Sequence, residues 1–425
     1  MSYRAARLAM ASLMGASLLL SVPAVAQETP VIAELSQDHE TTSEGYPFTG
    51  FGQSVIIRGN LALVGVPEFV YENPPGTFRS GLVEIYAGDA SGATWTRTGS
   101  LYSPDPLHQQ AFGSQLALSG KQRLAVGSFG AIQLFQERQA QWIPLSSIEL
   151  SPADLLNPNQ PLVYTGDTLA FTVFENQTDS VPGSQTGYFV YVYRIDREGN
   201  AHLAQKLAPS ADDTAPFGTS LALGHDLLVI GSPGGFGNGD LPGQVYVYSR
   251  RGEHWVLSQK IQSPTGAPKS GFGAGVAIDH AHHAILIGAA FEDFVGDDEF
   301  IQASGELYVF RKAHGVWAEI QETRPTGVGA FAEFGAIIAA RDGRVAVGAP
   351  STTDVFNAGF GPTVIYRWEG DTLVQDNYVP NLLAASLDVY RNRIIIGENR
   401  DVRGGFANKA VVLTYPAATD TDADD

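Results

Sequence analysis

One pattern recurs down this chain, and it limits the possible folds more than any other feature. Its clearest copy begins Phe217-Gly218-Thr219-Ser220-Leu221-Ala222-Leu223, turns at His225-Asp226, continues from Leu227 to Ile230 and ends Gly231-Ser232-Pro233. After a loop rich in Gly and Pro come Gly243-Gln244-Val245-Tyr246-Val247-Tyr248, a turn at Arg251-Gly252 and a run from Trp255 to Ile261. Alternation with period two, together with β-branched and aromatic content, predicts four short strands. Phe-Gly returns at Phe51-Gly52, Phe112-Gly113, Phe272-Gly273 and Phe334-Gly335, and two weaker copies open at Asn159-Gln160 and Leu383-Ala384. The seven starts, near residues 51, 112, 159, 217, 272, 334 and 383, lie about 55 residues apart. That is the length of a propeller blade rather than of a short solenoid coil.

Other parts of the copy repeat in step. The second strand ends Val64-Gly65-Val66-Pro67, Val126-Gly127-Ser128, Ile287-Gly288-Ala289 and Val347-Gly348-Ala349-Pro350, and third strands end in an aromatic such as Tyr86, Phe135, Phe310 or Tyr366. The last copy stops after a third strand, Ala410 to Tyr415, while Val31 to Leu35 precedes the first Phe-Gly and resembles a fourth strand. A ring that borrows this segment removes two open sheet edges. The expectation is therefore an all-β, seven-bladed β-propeller of four-stranded blades spanning 27–416, closed by an N-terminal strand completing the last blade. No apolar period of 3.6 residues is sustained, so a two-domain α/β chain lacks support.

At these residues the chain resembles the FG-GAP repeat family, whose Phe-Gly start and Gly-Ala-Pro end Phe334-Gly335 and Gly348-Ala349-Pro350 carry intact. The resemblance is to integrin-α-like propellers in a short-turn, exported bacterial form, and it implies adhesion or binding through the loops of one face. It does not extend to the Asp-x-Asp-x-Asp-Gly calcium loop of integrin-type repeats. The turns here, Arg58-Gly59-Asn60, Gly224-His225-Asp226 and Arg341-Asp342-Gly343, are too short and too poor in oxygen ligands.

Arg4 and Arg7 precede an apolar run from Leu8 to Leu20, and Ala24-Val25-Ala26 offers small residues at a cleavage position. Residues 1–26 thus read as a signal peptide, predicting a secreted or extracellular protein with the periplasm as the alternative. The run is too short to span a bilayer, so no membrane insertion is expected. Residues 417–425 read as an acidic disordered tail. The formal net charge of −19 argues against nucleic acid as a partner, because phosphate contacts need a basic face. With no cysteine, thiolate metal sites and thiol nucleophiles are excluded.

His280, His282 and His283 cluster beside Asp279 and could share a transition metal, but a two-residue insertion in a hairpin explains them as well, and no metal ligand, cofactor or catalytic residue is assigned. Trp95, Trp142, Trp255 and Trp317 recur at the start of fourth strands, the pattern of packing residues. Loop length concentrates between strands two and three, on one face: Glu68 to Ser80, Phe174 to Thr186, Gly234 to Pro242, Ala290 to Ser304 and Ser351 to Phe360. That face collects acids, among them Glu175 and Asp213. The ligand-facing loop is expected to be Glu292, Asp293, Asp297, Asp298 and Glu299.

The leading functional expectation is a non-enzymatic binding or adhesion module offering this acidic face to an unidentified protein or glycan, cationic or bridged by a cation. The alternatives are a carbohydrate-active or phosphoester-cleaving propeller enzyme and a structural envelope or surface component.

Overall fold

The computed structural model describes residues 28–416 except 37–48, 73–77, 106–110, 121, 151–153, 156–159, 176–186, 211–212, 214, 235–240, 296–299, 326, 351–360, 381, 383 and 403–404. The proposed signal peptide and tail lie outside the described residues. Among those described there is no helix. Seven antiparallel sheets form the blades of a β-propeller. The inner strands are Val55–Arg58, Gln115–Ser119, Leu162–Thr165, Ser220–Leu223, Phe272–Asp279, Ile337–Arg341 and Ser386–Tyr390, and these begin blades 1 to 7 in order. Each blade runs outward through strands two, three and four, as in blade 4: Leu227–Ser232, Gln244–Arg251 and His254–Gln262. Blade 3 adds a two-residue strand, Asp154–Leu155, paired with Phe174 and Glu175 on its second strand.

Among the described residues no fourth strand follows Gly405–Thr414 in blade 7. Val31–Leu35 takes the place, pairing Val31 with Thr414 and Leu35 with Ala410, so the N-terminal strand closes the ring as expected. Leu35 is buried with Phe51, Ile395 and Val412, which ties this strand to blades 1 and 7 together.

The Phe-Gly motif has a definite physical task. Phe51, Phe112, Phe217, Phe272 and Phe334 are fully buried, each meeting the third-strand aromatic of its own blade, as Phe217 meets Tyr246 edge-on at 5.0 Å. The glycine that follows holds φ between +84° and +95°, a region that side chains with a Cβ avoid. Its N–H donates to the carbonyl of the second-strand glycine in the same blade: Gly52 to Gly65, Gly113 to Gly127, Gly218 to Gly231 and Gly335 to Gly348. Its carbonyl points back and accepts a hydroxyl from the preceding blade, Ser54 to Gly113 at 2.7 Å and Ser220 to Gly273 at 2.8 Å, while Ser386 to Gly52 at 2.9 Å joins blade 7 to blade 1. Where blade 3 opens with Asn159-Gln160 instead, the position equivalent to Ser54 is Gln115, whose longer side chain donates to the Gln160 carbonyl at 2.6 Å.

A second row of contacts binds the outer strands. Gln259 donates from Nε2 to the carbonyl of Trp317 and accepts the Trp317 N–H, both at 2.8 Å. Gln205 does the same to Trp255, and Gln321 to Leu373. Each glutamine follows a bulge in the outer strand that shifts register between strands three and four. The bulge turns the glutamine toward the next blade and twists an exposed edge away from pairing with other chains.

Several segments read as loops are strands instead. In blade 1 the second and third strands, Leu61–Glu72 and Phe78–Gly88, continue as a hairpin past a bulge after Val66. In blade 7, Arg393–Val402 and Gly405–Thr414 do likewise. In these two blades the backbone groups of the described part of the extra length find partners in each other.

Candidate functional site

On the long-loop face, blade 5 carries the longest insertion. Past the second strand, Ala284–Ala289, the chain turns through a hydrogen bond from Glu292 N–H to the Ala289 carbonyl. The Glu292 carboxylate then points inward, only 3 % exposed, accepting the hydroxyls of Tyr308 at 2.9 Å and Thr265 at 2.7 Å. Glu292 is thus a clamp at the base of the loop and not one of its ligand-facing groups. The reason is that a buried carboxylate needs donors, and here two hydroxyls supply them. Asp293 is exposed, and its carboxylate accepts the Ala303 N–H at 2.8 Å. Above this clamp, Phe294–Val295 pairs with Phe300–Ile301 as a small hairpin, with the Arg324 guanidinium 4.0 Å from the Phe294 ring centre. Phe300 is 63 % exposed. Asp297, Asp298 and Glu299, which join the two strands, lie outside the described residues.

The same inward use of acids recurs. Glu84 accepts from Tyr86 and Arg97 in blade 1, and Glu175 from Tyr191 and Lys206 in blade 3. In blade 4, Asp213 accepts from Tyr246 and Lys260. Burial, and next the adjacent Asp213 carboxylate, raise the Tyr246 pKa, so the phenol stays protonated and donates. Burial pushes Asp213 upward, but hydrogen bonds from Gln244, Lys260 and Tyr246 outweigh it and hold the pKa at about 2. Glu175, Asp213 and Glu292 are each engaged within or between blades.

The histidine cluster comes apart. His282 turns outward, its Nδ1 3.1 Å from Asp279 and its ring stacked on Trp368 of blade 6 at 4.6 Å. Asp279, fully buried, also accepts the Trp368 indole N–H at 2.7 Å. His280 instead faces the central channel beside His225, and burial lowers its pKa, with His225 and Arg341 adding to the effect. Among the described residues no three metal-ligating side chains converge.

Sequence reasoning passed over the channel. The inner strands end in Arg58, Ser119, Thr165, Leu223, Asp279, Arg341 and Tyr390 on the short-turn face. Of these, Arg58, Thr165, Leu223 and Arg341 line a central cavity of about 560 Å³. Arg58 donates to Asp388 at 2.6 Å, and Asp388 also accepts the Ile57 N–H. The guanidinium groups of Arg58, Arg341 and Arg391 lie 5.6, 5.7 and 5.6 Å from the centre of one ring, that of Tyr390. Such clustering needs three first-strand ends brought together by the closed ring, and no linear motif records it. A larger groove of about 750 Å³ lies toward the outside between blades 3 and 4, but its Asp167, Arg194, Arg250 and Glu253 pair with one another.

Fold and site together define a seven-bladed β-propeller with a polar-mouthed central channel and a clamped hairpin on the opposite face. No family model and no curated protein matches the chain. Among solved structures it is similar to a protein from Lactobacillus plantarum, with a TM-score of 0.52 and 14 % identity over 80 % of this chain and 90 % of that one. A second similar structure comes from Bacteroides uniformis, named as a candidate 6-phosphogluconolactonase, with a TM-score of 0.49 and 11 % identity over 83 % of this chain and 96 % of that one. At these identities the likeness is one of fold.

Proposed function

We propose that this chain is an exported binding propeller of the FG-GAP type, without catalytic activity, whose long-loop face docks a protein or glycan partner that is cationic or bridged by a cation. The hairpin of blade 5 carries the reading. Its base is clamped by Glu292 and Asp293, so the segment containing Asp297, Asp298 and Glu299 springs from an ordered support. A segment whose two ends are fixed loses less conformational entropy on binding than one with free ends. The carboxylates Glu84, Glu175, Asp213 and Glu292 support binding over hydrolysis, since each is held by a tyrosine and most by a cation instead of facing a second free carboxylate across a cleft.

The test screens the purified mature protein against basic peptides and a glycan array, with and without calcium, beside the variant Asp297→Asn/Asp298→Asn/Glu299→Gln. A binder of the native protein that the variant releases supports the reading. A binder retained by the variant, or turnover of glycoside or phosphoester substrates, sinks it.

A further inference from the structure

Among the described residues two guanidinium groups beside Tyr390, those of Arg341 and Arg391, form no ion pair within 4 Å, and of the two only Arg341 lines the cavity. Arg58 is paired with Asp388, and Asp342 accepts the backbone N–H of Arg391 at 3.1 Å. Arg341 lies between these groups, and among the described residues it forms no ion pair within 4 Å and no side-chain hydrogen bond. Its side chain is exposed to water at the mouth, and desolvation followed by the like charge of Arg58 lowers its pKa while Asp388 and Asp342 act in the opposite direction. Asp226 stands across the mouth near His280. The groups facing Arg341 thus leave a guanidinium with five N–H donors and no full partner, in a chain whose net charge is −19.

Below this mouth apolar side chains share the wall with the polar backbone edges of the inner strands. Leu116, Val163, Ala222, Ile278, Ile338 and Leu387 are half-buried and line the cavity. A cavity of about 560 Å³ falls within the range that encloses small organic ligands. Its chemistry is that of an amphiphile site, with an anion-binding group at one end and hydrocarbon beyond it.

We propose that the central channel is a binding site for a small monocarboxylate with an apolar body, its carboxylate held by Arg341 at the short-turn mouth and its hydrocarbon lying among the inner strands. A planar guanidinium matches a carboxylate with two parallel hydrogen bonds. A single negative charge is chosen because three guanidinium groups, Arg58, Arg341 and Arg391, are set here against two neighbouring carboxylates, Asp388 and Asp342. The site is independent of the hairpin on the other face.

The experiment is calorimetric titration of the full mature protein with octanoate at pH 7, repeated with octanamide and with inorganic phosphate. Octanoate is expected to bind at one site, and Arg341→Gln to weaken it about tenfold or more, the usual effect of losing a charge-assisted hydrogen bond. Arg391→Gln, which removes a neighbouring charge outside the cavity lining, is expected to change affinity less than about twofold. Octanamide should bind at least as weakly to the native protein as octanoate does to Arg341→Gln. Ala222→Phe, which narrows the channel without touching the mouth, should also abolish binding, and its melting curve shows whether it folds. Absence of octanoate binding to the native protein, equal binding by Arg341→Gln, or phosphate binding as tightly as octanoate each overturns the proposal.

Discussion

Ser220 in blade 4 donates its hydroxyl hydrogen to the carbonyl oxygen of Gly273 in blade 5. That carbonyl lies directly over Gly231 on the second strand of blade 4, where a Cβ would collide with both the oxygen and the Ser220 hydroxyl. The Phe-Gly of one copy and the Gly that ends the second strand of the copy before it are therefore two halves of one interblade contact. Gly65 under Gly113, Gly288 under Gly335 and Gly397 under Gly52 repeat it.

Gly231→Ala should accordingly be severely destabilising, by about 3 kcal/mol or more, since overpacking against backbone has no side chain to yield. Gly99→Ala is the contrast, because a Cβ there meets nothing within 4 Å. Urea unfolding of both variants checks this, and equal midpoints would count against the contact.

Closure by the N-terminal strand makes Leu35 and Ile32 unequal. Leu35 is 2 % exposed and Ile32 63 %. Leu35→Ala should cost about 2–5 kcal/mol and Ile32→Lys less than about 0.5 kcal/mol. Removing residues 28–36 altogether uncovers the edge of Ala410–Thr414 and should lower the melting temperature while promoting self-association, which light scattering reads.

Glu292 and its neighbours in sequence should separate by role. Glu292→Ala strands the hydroxyls of Tyr308 and Thr265 and is expected to destabilise by about 1–3 kcal/mol. Asp297→Asn should leave thermal stability unchanged. A stability loss from both, or from neither, contradicts the division between clamp and hairpin tip.

Asp213 supplies a pH signature. Its folded pKa, about 2, lies below the ordinary carboxylate value of 3.8, so it contributes stability that is complete above the ordinary value. That contribution declines as pH falls from about 5 toward 2. The difference in unfolding free energy between native protein and Asp213→Asn should therefore shrink across this window. A difference independent of pH would show that the contact with Tyr246 and Lys260 does not hold the carboxylate ionised.

The ring itself was legible in the sequence, because blade repetition writes the same local requirement seven times. Phe217, Gly218 and Gly231 are chosen by sterics within one blade and its neighbour, and the spare strand Val31–Leu35 follows from counting. The Gln259–Trp317 pairs were also present as a recurrent glutamine four residues after an outer-strand tryptophan, at Gln259 and Gln321, though they acquire meaning only once a bulge aims them sideways. What the tertiary structure alone decided was the direction of charged side chains. Glu292 and Asp297 belong to the same acidic run, yet the first is buried because Tyr308 and Thr265, distant in sequence, stand where its carboxylate falls. Likewise Arg58 precedes Arg341 and Tyr390 by hundreds of residues and meets them only because the ring closes between blades 7 and 1. Local periodicity encodes strands and turns. The electrostatics of a shared channel depend on long-range closure, which leaves no mark on any single repeat.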